Sequence, residues 1–261
     1  MHGLLQCAQR LQQNLVERLP LQPVAIAPEL ALSRGVLRGT PVAMSTQRYS
    51  GPGFQSLTIA IISDPTDRTQ PTPTTAQAGE QSASTLTVVG LPWPASGLPV
   101  FGMDLIALRG SLSLCAIDLA PTDHDTWQGR CAPLLQRLRD QTADVVVPRR
   151  PPTFTEGTFS PLALIVAARP GGEATLFRAI LQFIDDVAQL VESSCPPARD
   201  RATTTDLQTA PAIARWLAAE RQNRKEHNAL SQIFGEAFAQ RYLHSFLFAP
   251  PDSTPPERSQ P

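Results

Sequence analysis

The sequence predicts an α/β fold: one antiparallel sheet with helices against both of its faces. Three observations predict it. Short runs of β-branched and apolar residues follow one another through the middle of the chain, joined by turn-length connections, as in an antiparallel meander. Amphipathic helical stripes lie at both ends and between the later strands, so helices can cover both faces. Of the 261 residues 42% are hydrophobic and 17% charged, enough apolar material for a core at this length.

The chain opens on an amphipathic helix. Leu4, Leu5, Ala8, Leu11, Leu15, Val16 and Leu19 recur near a 3.6-residue period, Gln and Arg fill the other face, and Pro20 ends it. The lack of acids before Glu17 would also suit a transit peptide, but Ser and Thr are missing as well. From residue 36 to 63 we read two strands around Ser50-Gly51-Pro52-Gly53. Val36, Leu37, Pro41 and Val42 precede that turn, and Leu57 to Ile62 follow it. Asp64 to Ser84 carries almost nothing to bury and is predicted to be a solvated loop insertion.

Strand patterns resume at Thr85 to Val89 and at Val100 to Leu108. Arg109-Gly110-Ser111 turns the chain into a strand from Leu112 to Leu119. A helix is predicted over Trp127 to Arg139, an apolar strand over Leu162 to Ala168, and a long helix over Gly172 to Ser193. In that helix Leu176, Ile180, Phe183, Ile184, Val187, Leu190 and Val191 make one stripe. Ile213, Trp216 and Leu217 mark another helix. Leu230 to Phe246 marks a pair broken near Gly235, and the Pro-rich stretch after Pro250 reads as a frayed tail. The expectation is about six strands in a single domain over residues 1–250.

Composition excludes several functions. A net charge of −1 and a pI near 6.4 do not suit nucleic-acid binding by bulk positive charge. No apolar run approaches the length of a membrane helix. Cys7, Cys115, Cys131 and Cys195 form no Cys-x-x-Cys pair. His2, His124, His227 and His244 form no metal motif, so no bound metal is expected. There is no nucleotide glycine loop and no nucleophile elbow. No secretory signal is evident, and a reduced, cytoplasmic protein is expected. Patterning alone stops at an α/β protein of unknown function.

Three ordered blocks go further. The segment Gly97 to Asp123, GLPVFGMDLIALRGSLSLCAIDLAPTD, holds a Leu-Pro-x-Phe-Gly-x-Asp strand, an Arg-Gly turn and an Ile-x-Asp-Leu-x-Pro strand. Leu162 to Gly172 ends a strand in Arg-Pro. Asn223 to Phe248 combines Phe-Gly, an aromatic-rich helix and Leu-Phe. Together these blocks resemble the ferredoxin-dependent bilin reductases, in particular their phycocyanobilin-forming branch. The match runs from about Leu86 to Phe248, and the first 85 residues match only loosely.

The resemblance implies a three-layer α/β/α sandwich with a central antiparallel sheet. It implies a biliverdin-type substrate held between the sheet and the C-terminal helices. No metal or flavin is bound: reduced ferredoxin is the external electron donor, and side chains supply protons to bilin radicals. Asp104 falls at the family's proton-donating aspartate. A carboxyl on an otherwise apolar strand facing a pocket would have its pKa raised by desolvation and could hold a proton near neutrality. An exposed acid at a strand edge is the competing reading of the same residue.

The resemblance also implies Arg169 and Ser113 at one bilin propionate and Lys225, the only lysine among 22 basic residues, at the other. A solvated polar residue is the alternative for each. Thr87 stands where the family carries a histidine or asparagine, and it is expected beside the substrate. The family's upstream glutamate has no counterpart in Leu57 to Ile62, and Arg224 replaces an aspartate. His227, one helical turn from Arg224, is expected as a second proton donor, with a surface histidine as the alternative.

The expected activity is reduction of biliverdin IXα or a dihydrobiliverdin to a phycobilin such as phycocyanobilin. A non-catalytic bilin carrier or decayed paralogue, and a reductase of a chlorophyll-derived tetrapyrrole, are the alternatives. Ferredoxin is the expected partner, docking on Arg149, Arg150, Arg221, Arg224 and Arg241. Heme oxygenase or a downstream phycobilin-binding protein would be further partners; nucleic acid and membrane are not expected.

Overall fold

The computed structural model describes residues 2–63, 83–194 and 206–249. Helix α1 (His2–Leu11) continues through a wider π-helical turn to Glu17 and is followed by β1 (Gln22–Pro23), α2 (Pro28–Ala31) and the strands β2 (Leu32–Leu37), β3 (Thr40–Ser50) and β4 (Phe54–Ser63). Then come β5 (Ala83–Pro92), β6 (Val100–Leu108), β7 (Ser111–Ala120), α3 (His124–Thr126), α4 (Ala132–Thr142), β8 (Val146–Pro148) and β9 (Leu164–Ala168). The chain ends in α5 (Glu173–Ser194), α6 (Asp206–Glu220), α7 (Arg224–Phe234) and α8 (Glu236–Tyr242), the last running on in a π-helical turn to Leu247.

The strands form one nine-stranded sheet in the order β1-β3-β4-β5-β6-β7-β9-β8, with β2 also paired to β3. Every pairing is antiparallel. Three strands were not expected from the sequence: β1, β2 and β8. Strands β1 and β8 are too short to show a periodicity. The separation of β2 from β3 depends on a two-residue turn at Arg38-Gly39, where both φ angles are positive (51° and 85°). That geometry suits the twist of a hairpin. The same dipeptide makes the β6–β7 turn at Arg109-Gly110 (52° and 78°), and there the turn was legible.

Alternation along the strands sorts side chains between two cores. Leu86, Val88, Phe101, Met103, Leu105, Cys115, Ile117 and Leu119 face one side. There they pack with Leu4, Cys7 and Leu11 of α1, Leu135 and Leu138 of α4, and the stripe of α5. Leu5 alone of the predicted α1 stripe is exposed, at 43%. On the other side Val42, Met44, Ala60, Val89 and Val100 pack with Trp216 of α6, Leu230 of α7 and Tyr242 of α8. The layers are therefore helix, sheet, helix.

Two local features set the second helical layer. Gly235, with φ of 94°, breaks the last helical region into α7 and α8. Gly35 of β2 lets α7 approach, because a Cβ there would lie 2.3 Å from the Ile233 carbonyl. The predicted loop, Asp64 to Ser84, lies outside the described residues up to 82, whereas Ala83 and Ser84 belong to β5. Cys195 and the tail after residue 249 also lie outside them. Among the described residues no helix is long and apolar enough to cross a membrane.

Candidate active site

The second face of the sheet is not packed throughout. Between β5–β7 and the ends of α6 and α7 lies a cavity of about 760 Å³, counting its open mouth. Its sheet wall carries Thr87, Gly102, Asp104, Leu114, Ala116 and Asp118; Trp216 and Glu220 of α6, Asn223 and Glu226 close the helical side. An aromatic group forms one end: Phe159 stacks on Trp216 at 6.5 Å between centroids, and Phe248 meets the same indole edge-on at 5.9 Å. Aromatic faces beside a few polar groups suit a flat, conjugated ligand.

Asp104 sits in the middle of β6, in register with Thr87 of β5 and Ala116 of β7. Met103 and Leu105 point into the first core, so Asp104 points into the cavity. Burial pushes its carboxyl up to about 6, and the Thr87 hydroxyl, donating to Oδ1 at 2.9 Å, holds it back from rising further. Thr87 thus reaches the cavity and also hydrogen-bonds the acid. On β4, the partner of Thr87 is Ala60, so no acid stands beside it on that strand.

The cavity holds three acids besides Asp104. Asp118, on the same face of β7, is also pushed up to about 6 by burial. Both of its oxygens are engaged, one by the backbone N–H of Ser160 and one by its hydroxyl. Glu220 is buried at the end of α6, and desolvation first, then the charge of Glu226, raises its pKa well above the usual range. Glu226, in the first turn of α7, is pushed up to about 8 by desolvation and then by the charge of Asp104. Sequence signals for two of these exist. Asn223-x-x-Glu226 is a capping-box pattern, and Glu220 lies one turn beyond Trp216 on an apolar helix face.

The mouth opens toward a basic cleft that shares Pro152, Phe154 and Asn223 with the cavity wall. Arg150, Arg224 and Lys225 line it, and none of the three forms an ion pair with a described residue. Lys225 therefore lies where an anionic group of a cavity ligand could emerge.

Other expected residues are placed elsewhere. Arg169 is exposed past the end of β9, its Nε donating to the Val146 carbonyl at 3.0 Å, outside the cavity lining. Ser113 sits where the β6–β7 register shifts and gives its hydroxyl to the Ile106 carbonyl. His227 turns away from the cavity: its Nε2 lies 3.3 Å from Glu236, and its ring meets His244. Among the expected docking arginines, Arg221 is bound to the Phe248 carbonyl and Arg241 to Glu29. Only Arg150 and Arg224 of that set line the cleft.

Comparison with known proteins agrees with this architecture. A phycocyanobilin:ferredoxin oxidoreductase from Gloeobacter violaceus is 26% identical over 247 residues, covering 92% of this chain and 88% of its own. A protein of the same name from Prochlorococcus marinus is 23% identical, covering 95% and 92%. The crystal structure of tomato phytochromobilin synthase in complex with biliverdin superposes with a TM-score of 0.67. That match has 16% identity and covers 92% of this chain and 82% of the other. The model of the ferredoxin-dependent bilin reductases matches residues 8–249, nearly the whole chain. The chain belongs to the ferredoxin-dependent bilin reductase family and is an enzyme that acts on bilins.

Proposed function

We propose that this protein reduces biliverdin IXα, or a dihydrobiliverdin, to a phycobilin of the phycocyanobilin type. Asp104 is the first proton donor. The observation that carries the reading is this carboxyl: it stands on the sheet wall of an open, aromatic-ended cavity, held by Thr87 and pushed up to about 6 by desolvation. A donor poised near the working pH transfers its proton best. The phycocyanobilin product is supported by the names of the cyanobacterial relatives. The biliverdin substrate is supported by the ligand of the tomato enzyme.

Each reduced double bond takes two electrons and two protons. Ferredoxin delivers the electrons singly, so the bilin passes through a radical, and no resident metal or flavin is required. The tetrapyrrole lies against the aromatic end formed by Trp216, Phe159 and Phe248. Its propionates emerge into the basic cleft, where Lys225, the residue expected at one of them, stands beside Arg150 and Arg224.

The test is an anaerobic assay with biliverdin, ferredoxin and a ferredoxin-reducing system. The expected result is a bound bilin with a shifted absorption spectrum that turns into a reduced product as ferredoxin is oxidised. Binding with a shifted spectrum but no reduced bilin would overturn the enzyme reading in favour of a carrier.

A further inference from the structure

We propose that Glu226 is the second proton donor of this site, delivering from the helical wall the proton that Asp104, on the sheet, does not. The inference rests on the bilin-reductase reading above. Reduction of one bilin double bond needs two electrons, from two reduced ferredoxins, and one proton on each carbon. A single carboxyl fixed on β6 can serve one of those carbons without being recharged. The expected second donor, His227, faces Glu236 and His244 instead of the cavity.

Three acids remain as candidates, and their surroundings separate them. Asp118 is anchored through both oxygens to Ser160, so it fastens the segment before β9. Glu220 sits at the C-terminus of α6, where the helix dipole opposes a negative charge, and it has the charges of Glu226, Asp104 and Asp118 around it. Such a group keeps its proton too firmly to donate it readily.

Glu226 differs from both. It lies at the N-terminus of α7, where the dipole favours the carboxylate left behind after donation. Asn223 holds it in place: the Asn223 side chain accepts from the Glu226 N–H at 3.3 Å, and its amide donates to Oε2 at 3.2 Å. Glu226 is also shared by the main cavity and a smaller one beneath α7 and α8. The titratable groups that face it are Asp104 from the sheet, Glu220 from α6 and Tyr242 from α8. Two like charges in one cavity are not both held ionised, so Asp104 and Glu226 favour at least one shared proton. In the balanced step, two electrons and one proton from each carboxyl convert C=C to CH–CH, and both carboxylates recover protons from water.

The test compares Glu226→Gln, Glu226→Asp and the wild type. Gln keeps the helix-cap pattern, so the fold is retained. The expected result for Glu226→Gln is biliverdin affinity within about threefold of wild type and turnover lowered on the order of 10²-fold. A half-reduced, singly protonated bilin accumulates, and Glu226→Asp recovers at least about a tenth of the rate. Turnover within about twofold of wild type in Glu226→Gln would overturn the proposal. So would parallel loss of binding and turnover in both variants, the mark of a cap alone.

A wild type that makes no reduced bilin would instead defeat the function proposed above. The spectrum of bound biliverdin, titrated either side of pH 8, then decides for Glu226 alone. A step in the wild type that is missing from Glu226→Gln shows Glu226 to be the titrating group against the bound bilin, the placement on which the assignment stands. The same step in both, no step in either, or no biliverdin binding by the wild type overturns it.

Discussion

The two faces of one sheet do different work with the same strands. On the face covered by α1, α4 and α5, odd positions of β6 (Phe101, Met103 and Leu105) are almost completely buried among apolar side chains. On the other face, the even positions Gly102 and Asp104 of that strand line an open cavity with four acids around it. One face maximises dispersion and apolar burial. The other accepts desolvated carboxyls, a cost that a dry core would not tolerate. The period of two lets one strand carry stability and chemistry side by side without either side chain meeting the other.

Substitutions on opposite faces should therefore fail in opposite ways. The largest expected effect is at Asp104→Asn, with turnover lowered by about 10²–10⁴-fold and biliverdin binding retained. Unchanged turnover would remove Asp104 from the mechanism. The same variant should fold more stably above neutral pH. Asp104 titrates at about 6 in the fold against 3.8 ordinarily, so the folded state holds the proton more tightly. Stability is then lost as pH rises from about 4 to about 6, and the deficit persists above that range. Asn removes the titration, a gain of about 1–3 kcal/mol at pH 8 that denaturant midpoints at pH 4 and pH 8 would measure.

The converse is Ile184→Ala in α5, fully buried in the dry core. It should lose about 2–5 kcal/mol of stability, read by urea unfolding, while the surviving fold keeps its KM for bilin. A matching loss of KM would mean that the faces are coupled. Next in size, replacing Arg224 and Arg150 together by Gln should raise the KM for biliverdin or ferredoxin several-fold and flatten the dependence of rate on ionic strength. Thr87→Val removes the 2.9 Å hydrogen bond that restrains Asp104, so the alkaline limb of the pH–rate profile should move to higher pH. The smallest effect is expected at His227→Ala. Turnover within about twofold of wild type would agree with its position outside the cavity, and a larger loss would return it to the mechanism.

Much of this was legible before any coordinates. Strands with five or more alternating or apolar residues announce themselves, as β4 to β7 and β9 do, and the stripe of α5 does the same. The two-residue strand β1 and the three-residue β8 cannot, since their pairing comes from neighbours and not from their own pattern. At the site, Asp104 and Lys225 were picked out by the motif blocks, Asp104 as a carboxyl interrupting an apolar strand and Lys225 as the only lysine. For Arg169, ending a buried strand does not fix where the guanidinium goes next; here it turns to a backbone carbonyl. Glu220 and Glu226 were passed over because an acid on a helix is ordinarily solvated, and only docking of α6 and α7 against the sheet removes the water.

By itself, the sequence determined the order of elements, the alternation that splits the sheet into two faces, and the motif blocks of the family. These follow from local periodicity and from short residue strings, which need no partner to be read. Only the tertiary structure decided which acids share a cavity and which cations line its mouth. Asp104 and Asp118 come from neighbouring strands, and Glu220 and Glu226 from consecutive helices much later in the chain. Their protonation follows from desolvation and mutual repulsion, and both exist only once the helices have closed over the sheet.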